Sequence, residues 1–409
     1  MSLEKLVCTA CACLCDDIEL EINDNKIVRI NNACSKSSAF LYASQIKKNR
    51  ALFLVGGHEV TKDEAIQKAG DLLKQSNNLL IAGLDNSTLE AQSIAIKMAE
   101  SLGATIDDTS SYCKGELLQK ILSGIIPTCS FDVAKKADLL VFWGANPYHS
   151  HPRHLSLFSY YANPRFEEAG WYPASKVVCI EVRETETTEL CDHSIKILPG
   201  KDVKLINDII SAVDGNQTGE DIQQFIEMID KSDNCVIYAG LGLDYSIDGN
   251  YDLFVKMTEK LGKLTNVVTI PMIGHYNMRG FNQQLFDKTG YVNKISFAKG
   301  ISHGIEFSIT EQMNNKVPDC IFFAGLDPIV SLPDSLVKKI KDIPIITLDP
   351  FYTKTSKMSD VVIGTAVSGL EASGSALRMD GVKIFLNKVI SSLFPSDEEV
   401  MNKLFERVS

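Results

Sequence analysis

The chain has 409 residues, with 41 Lys+Arg against 52 Asp+Glu and a formal charge of −11 at neutral pH. No Lys/Arg-rich block of five or more appears, so the clustered cations that neutralise phosphates are missing and nucleic acid is excluded as a partner class. A hydrophobic content of 45% is ample for buried cores, and the length suggests two or three domains. The longest apolar runs, such as Cys320–Ala324, fall far short of the ~18 residues that span a bilayer.

Five of the eleven cysteines lie in the first 34 residues. The start, Met1-Ser-Leu-Glu-Lys-Leu-Val-Cys8, has its apolar part interleaved with Thr9 and cysteines and stops at Asp16-Asp17, which reads as mature cytoplasmic protein rather than a signal peptide. An odd, locally dense cysteine count points to metal ligation rather than a disulfide scaffold. Cys8, Cys11 and Cys15 form C-x2-C-x3-C. Cys34 follows after a stretch, Asp17 to Ile30, that alternates like a hairpin. Three closely wrapped thiolates and a distant fourth suit the corners of a four-iron cube, with Cys13 spare. Structural zinc is the alternative, although it usually takes two C-x2-C pairs or a pair with histidines.

Downstream, apolar strands alternate with amphipathic helices. Strands are expected at Asn78–Gly83, Asp138–Gly144, Val177–Val182, Cys235–Gly240, Asn266–Ile270, Cys320–Gly325, Pro344–Asp349 and Val361–Gly364. Helices are expected at Glu64–Lys74, Thr88–Leu102, Asp202–Val213 and Tyr251–Leu261. Short, non-alternating strands are those of a parallel sheet covered on both faces, so the fold class is α/β, doubly wound. Cys179, Cys235 and Cys320 sit inside such runs and are expected to be buried free thiols. Cys113 differs. It lies on a polar, glycine-punctuated loop before the helical run Leu117–Leu122, where a thiol is poised as a ligand or nucleophile.

Two strands run into matching turns, Gly144-Ala-Asn-Pro147 and Gly325-Leu-Asp-Pro328, and each is trailed by a strand ending in an acid, Glu181 or Asp349. Glycine there lets backbone N–H groups approach a phosphate. Taken singly these read as ordinary βα turns; the pairing suggests nucleotide sites. No G-x-G-x-x-G with a downstream acid and no P-loop appears, so NAD and ATP are poorly supported. His149, His151 and His154 follow the first turn at an H-x-H-x2-H spacing, which suits ligand contact or, less well, a metal. Gly274-His-Tyr-Asn-Met-Arg-Gly-Phe281 crowds functional groups onto an expected loop.

Read together, Cys8/Cys11/Cys15/Cys34, Ser-Tyr-Cys113-Lys-Gly, Trp143-Gly-Ala-Asn-Pro147 with its His-Pro-Arg-His tail, Gly274 to Gly280 and Gly374-Ser-Ala-Leu-Arg-Met-Asp-Gly381 carry a resemblance. The chain resembles the molybdopterin oxidoreductases and, within them, the catalytic B subunits of formylmethanofuran dehydrogenases, the tungsten- or molybdenum-dependent enzymes that open archaeal methanogenesis. The match runs in order along nearly the whole chain. It implies a small [4Fe–4S] domain (residues 1–50) and two Rossmann-like domains (51–112 with 281–409, and 113–280). It also implies a chain without the C-terminal barrel that larger relatives carry.

By resemblance, Cys8, Cys11, Cys15 and Cys34 hold the cluster and Lys36 stands between cluster and pterin. Cys113 ligates W or Mo. Two molybdopterin guanine dinucleotides lie at Gly144, Asn146, Glu181 and Asp202, and at Gly325, Asp327 and Asp349. Arg279 is the family's active-site arginine, able to grip a formate- or CO2-derived carboxylate through two parallel hydrogen bonds, and His275 is placed nearby as a proton donor. Where close relatives have histidine after the metal-binding cysteine, this chain has Lys114. An unperturbed lysine keeps its proton to a pKa of about 10.4, so proton relay gives way to a fixed positive charge for the carboxylate. The resemblance further implies cytoplasmic reduction of CO2 to formate and partner subunits: a barrel-domain subunit covering the pterins, an amidohydrolase-like subunit that joins formate to methanofuran, and ferredoxin-like electron carriers. A formate dehydrogenase module is the alternative enzyme. A metal-free electron-transfer or scaffold subunit is the alternative class.

Overall fold

The structure is a computed structural model and describes residues 2–162 and 175–409. The chain divides into two compact units, one formed by residues 1–112, 275–378 and 383–409 and the other by residues 113–274 and 379–382.

The first unit is built on a nine-stranded sheet. Its centre is parallel, in the order Thr105–Asp107, Leu79–Gly83, Cys320–Ala324, Ile345–Asp349 and Val361–Gly364. Neighbouring residues of these strands serve opposite faces. Ile81, Phe322 and Ile346 pack under the helices Lys62–Gln75, Leu89–Ser101, Met278–Thr289 and Asp397–Val408, whereas Leu80, Ile321, Phe323 and Ile345 pack against Ile309, Met313 and Ile340. Burial on both sides is why the strands read as unbroken apolar runs. The edges depart from the all-parallel expectation: Leu54–Val55 with His58–Glu59, and Ile295–Ser296 with Ser302–His303, join antiparallel. Strands of two residues carry too little pattern to be seen in a sequence. A capping box starts the first long helix two residues earlier than expected, with the Thr61 N–H donating to Glu64 (2.9 Å) and the Glu64 N–H to Thr61 Oγ1 (3.3 Å).

The amino-terminal head belongs to this unit. The alternating stretch is an antiparallel hairpin, Ile18–Asn23 with Lys26–Asn31, extended to three strands by Ser2–Leu6. Its cysteine loop lies between the first two strands.

The second unit has a five-stranded, wholly parallel sheet in the order His193–Lys196, Lys176–Glu181, Leu139–Trp143, Asn234–Ala239 and Asn266–Pro271. The helices Asp202–Val213, Glu220–Asp230 and Tyr251–Leu261 cover it through Ile206, Ile209, Phe225, Phe254 and Met257. The free-thiol expectation for Cys179 is corrected: its sulfur is disulfide-bonded to Cys191, twelve residues on. Cys235 and Cys320 are buried and free, as expected. Among the described residues no helix is long and apolar enough to cross a membrane.

Candidate functional site

In the cysteine head, Cys8, Cys11 and Cys15 are buried and Cys34 is partly so. Cys34 caps the helix Ser35–Ser44, accepting from the Ser37 N–H at 3.4 Å, and the Ala10 N–H donates to Cys8 Sγ at 3.4 Å. Amide donors aimed at sulfur tune iron–sulfur clusters. The thiols also feel one another. Burial pushes Cys8 up to about 11, and the neighbouring Cys11 and Cys34 push the same way. Cys11 is drawn down to about 7, first by a hydrogen bond from Cys13 and with help from the Lys36 ammonium. Among the described residues no three His, Cys, Asp or Glu converge as ligands on one ion. A tetrahedral zinc needs its donors within about 2.3 Å of a single point, whereas a cube needs one thiolate per corner. Four cysteine thiols in one head, with backbone amides aimed at two of them and Lys36 near Cys11, have the donor chemistry that a four-iron cluster takes.

Cys113 opens the second unit, half-buried, one residue before the N-cap of the helix Gly115–Leu122. The N-cap is Lys114, whose side chain is wholly buried and whose ammonium meets the Asp244 carboxylate of the helix Leu241–Ile247. Burial drives both groups toward their neutral forms, the lysine down to about 7 and the aspartate well above its usual range. In either state the pair is neutral overall, so the positive charge expected at Lys114 is compensated within its own unit. Asp244 has no signal in the sequence. The pairing is tertiary, between residues 130 positions apart.

In the first unit the segment His275 to Phe281 is not the expected loop throughout. Arg279 sits in the first turn of the helix Met278–Thr289 and is buried. Asn277 fixes that start. Its backbone N–H donates to the Asp85 carbonyl (3.0 Å), its Nδ2 to the Ser87 carbonyl (2.7 Å), and its Oδ1 accepts from the Leu377 N–H (2.8 Å). Gly280 is required because a Cβ there would strike Asn277 Oδ1 and Leu89. Tyr276 is absorbed into a small core with Leu14, Ala376 and Leu386. His275 keeps about two-fifths of its side-chain exposure. Asn86 Nδ2 lies 2.7 Å from its Nδ1, and the buried Asp85 carboxylate lies 3.9 Å from its Nε2.

The two Gly-x-x-Pro turns repeat one another closely. Gly144 and Gly325 have φ of +56° and +61°, a region costly for side-chain-bearing residues. Asn146 and Asp327 share φ −113° and ψ 82°, and each precedes a four-residue helical turn begun by proline. Each is tied to a second repeat that has no counterpart among the expected elements. Thr185-Glu-Thr-Thr188 and Thr353-Lys-Thr-Ser356 both fold as reciprocal hydroxyl–amide turns. The buried middle threonine of each donates to the turn: Thr187 Oγ1 to Asn146 Oδ1 (2.6 Å) and Thr355 Oγ1 to Asp327 Oδ1 (2.5 Å). The sequence does carry a signal for it, T-x-T-[ST] a few residues after a strand-ending acid.

Around the first turn, Gly144, Glu181 and Asp202 line a cleft of about 320 Å³ with Gly242, Tyr245 and Ser246. Asp202 Oδ1 accepts from Trp143 Nε1 at 2.6 Å, and burial raises Glu181. Around the second, Asp349 accepts from the Phe351 N–H (2.8 Å). Burial, reinforced by the nearby Asp327 charge, pushes it up to about 7. Glycine turns beside acids that can accept from a base or ribose fit a nucleotide tail. The three histidines after the first turn have no common centre. His149 pairs with Glu186 (2.9 Å), His151 with the Ile273 carbonyl (2.7 Å), and His154 is buried among Phe131, Phe142 and Tyr238.

The family profile described as molybdopterin oxidoreductase matches residues 39–398. The B subunit of the tungsten-containing formylmethanofuran dehydrogenase 2 of Methanocaldococcus jannaschii is 29% identical, over 99% of this chain and 98% of its own. Among solved structures, acetylene hydratase from Pelobacter acetylenicus superposes with TM-score 0.74 at 12% identity, covering 99% of this chain and 69% of that one. A chain of the formyltransferase/hydrolase complex of Methylorubrum extorquens, solved with methylofuran, superposes with TM-score 0.71 at 17% identity, covering 87% of this chain and 98% of that one.

Proposed function

This chain belongs to the molybdopterin oxidoreductase family, and from that premise we propose that it is the catalytic B subunit of a formylmethanofuran dehydrogenase. The observation that carries the reading is that one chain joins a four-cysteine head to two copies of a nucleotide-sized turn. The near full-length likeness to the B subunit of a tungsten-containing enzyme supports it.

Cys8, Cys11, Cys15 and Cys34 would hold a [4Fe–4S] cluster, Cys113 would ligate W or Mo, and the two turns would hold the guanine ends of two pyranopterin dinucleotides. Loaded in this way, the centre would supply the two-electron chemistry that interconverts CO2 and formate. The chain's own residues bind and position. Lys36 places a cation beside the cluster thiolates, and Arg279, whose helical first turn adds the positive end of a dipole, offers a planar fork for a carboxylate. Asp244 holds Lys114, and with it the start of the helix that follows Cys113. Formate would pass to a partner hydrolase subunit and condense with the amine of methanofuran, while further partners cover the pterins and deliver electrons.

The test is metal analysis of the purified complex. About four iron atoms and one W or Mo per chain are expected, and acceptance of methanofuran separates this enzyme from a formate dehydrogenase. The second reading, a metal-free scaffold, is favoured by the self-compensated Lys114–Asp244 pair beside Cys113. Iron without W or Mo would establish it in place of the first.

A further inference from the structure

The two turns differ in how their glycine carbonyl is met. In the second unit the Gly144 carbonyl accepts from the backbone N–H of Gly242 at 3.1 Å. In the first, the Gly325 carbonyl accepts from the side chain of Asn86 at 3.1 Å. The positions correspond, since the Gly240 N–H bonds the Trp143 carbonyl and the Leu84 N–H bonds the Ala324 carbonyl, each at 2.7 Å, two residues earlier. Replacing a backbone donor with an amide side chain adds one hydrogen, and that hydrogen is directed at His275 Nδ1, 2.7 Å away.

This double contact fixes the amide. Only the NH2 end can serve two acceptors, because the reversed amide would set oxygen against the Gly325 carbonyl. His275 Nδ1 must then be an unprotonated acceptor, and the ring's proton sits on Nε2. An imidazolium would put Nδ1–H against the amide hydrogens. We infer that Asn86 is a positioning residue that holds His275 as a neutral Nε2–H hydrogen-bond donor, not as a proton donor. A neutral Nε2–H donor can polarise a carboxylate or CO2 oxygen without adding a charge to the site. The groups facing the ring are consistent with this. The Asp85 carboxylate favours the cation, but it stands 3.9 Å from Nε2 and its nearer oxygen already accepts from Thr109 Oγ1. Asp108, Tyr112 and Tyr276 lie around Asp85, and Arg279 follows His275 by four residues, in the first turn of the next helix.

The tautomer assignment rests on geometry within one unit; its bearing on turnover rests on the function proposed above. The test is nitrogen-15 NMR of the full chain labelled at its seven histidines, with His275 assigned by loss of its signals in His275→Gln. Wild type should show a bare Nδ1 and a protonated Nε2. Asn86→Ala should give mixed tautomers, and Asn86→Asp, which replaces the donor with an acceptor, should move the proton to Nδ1. A wild-type Nδ1–H, or a tautomer unmoved in Asn86→Ala, would overturn the inference, and the wild-type spectrum decides even where a variant fails to fold. In the assembled complex, His275→Gln should lower CO2 reduction by about 10²-fold, the loss of one preorganised hydrogen-bond donor. The expected tautomer in a complex without CO2 or formate chemistry would leave the inference standing and reject the proposed function instead.

Discussion

The turn at Gly144 and the turn at Gly325 share backbone angles, a proline-led helical turn and a threonine strut, yet their chemistry differs at several polar positions. Asn146 corresponds to Asp327, Glu181 to Asp349, Glu186 to Lys354, and the Gly242 backbone to the Asn86 side chain. Along the backbone the two copies have kept one geometry, because only a glycine with positive φ and a capped turn can present N–H groups closely. Where side chains select and tune they have separated. Two similar ligands in two differently charged seats would be held with unequal strength.

The glycines should give the largest contrast. A Cβ on Gly144 would run into the backbone of Gly242 and Leu243, whereas on Gly325 it meets only Asn86, with the Cβ nearest at 3.1 Å. Gly144→Ala is expected to cost about 3 kcal/mol, positive-φ strain plus a backbone that must move, and Gly325→Ala about 1 kcal/mol. Denaturant melts of the two variants compare them, and equal losses would break the contrast.

The threonine struts come next. Thr355 is wholly buried and donates to a carboxylate, while Thr187, equally buried, donates to a neutral amide. Removing a bond to a charged group costs more, so Thr355→Val should lose about 2 kcal/mol and Thr187→Val about 1 kcal/mol in the same melts.

The smallest effect depends on pH. Asp349 is raised to about 7 in the folded chain, against about 3.9 unfolded. The folded state therefore binds the extra proton between those values. Its stability falls as pH rises above about 4 and levels off above about 7. Asp349→Asn should remove that penalty, leaving stability unchanged near pH 4 and raising it by about 1–2 kcal/mol at pH 8. That figure is discounted from the roughly 4 kcal/mol of the full shift because the side chain keeps some solvent contact. A variant equally stabilised at both pH values would contradict the cause.

Much of this is legible in the sequence. The eight expected strands form, and the helices Asp202–Val213 and Tyr251–Leu261 run between the expected ends, because amphipathic periodicity and two-sided burial are local signals. Gly144 and Gly325 are legible for the same reason, as a strand-end glycine followed by proline. Arg279 reads as a loop residue because its helix is begun by Asn277 bonding to residues far along the chain. Cys191, Asp244 and Asn86 are invisible for a related reason: each matters through one partner that only the fold brings near. The T-x-T-[ST] pair shows a different failure, a repeat too short to notice until the turns it supports are superimposed.

Two nucleotide seats in one chain are the centre of the proposed chemistry, and hydrolysing the purified complex and counting released guanosine monophosphate tests them most directly. About two per chain, accompanied by one W or Mo, is the predicted result. A chain that carries iron but releases no guanine nucleotide would contradict it.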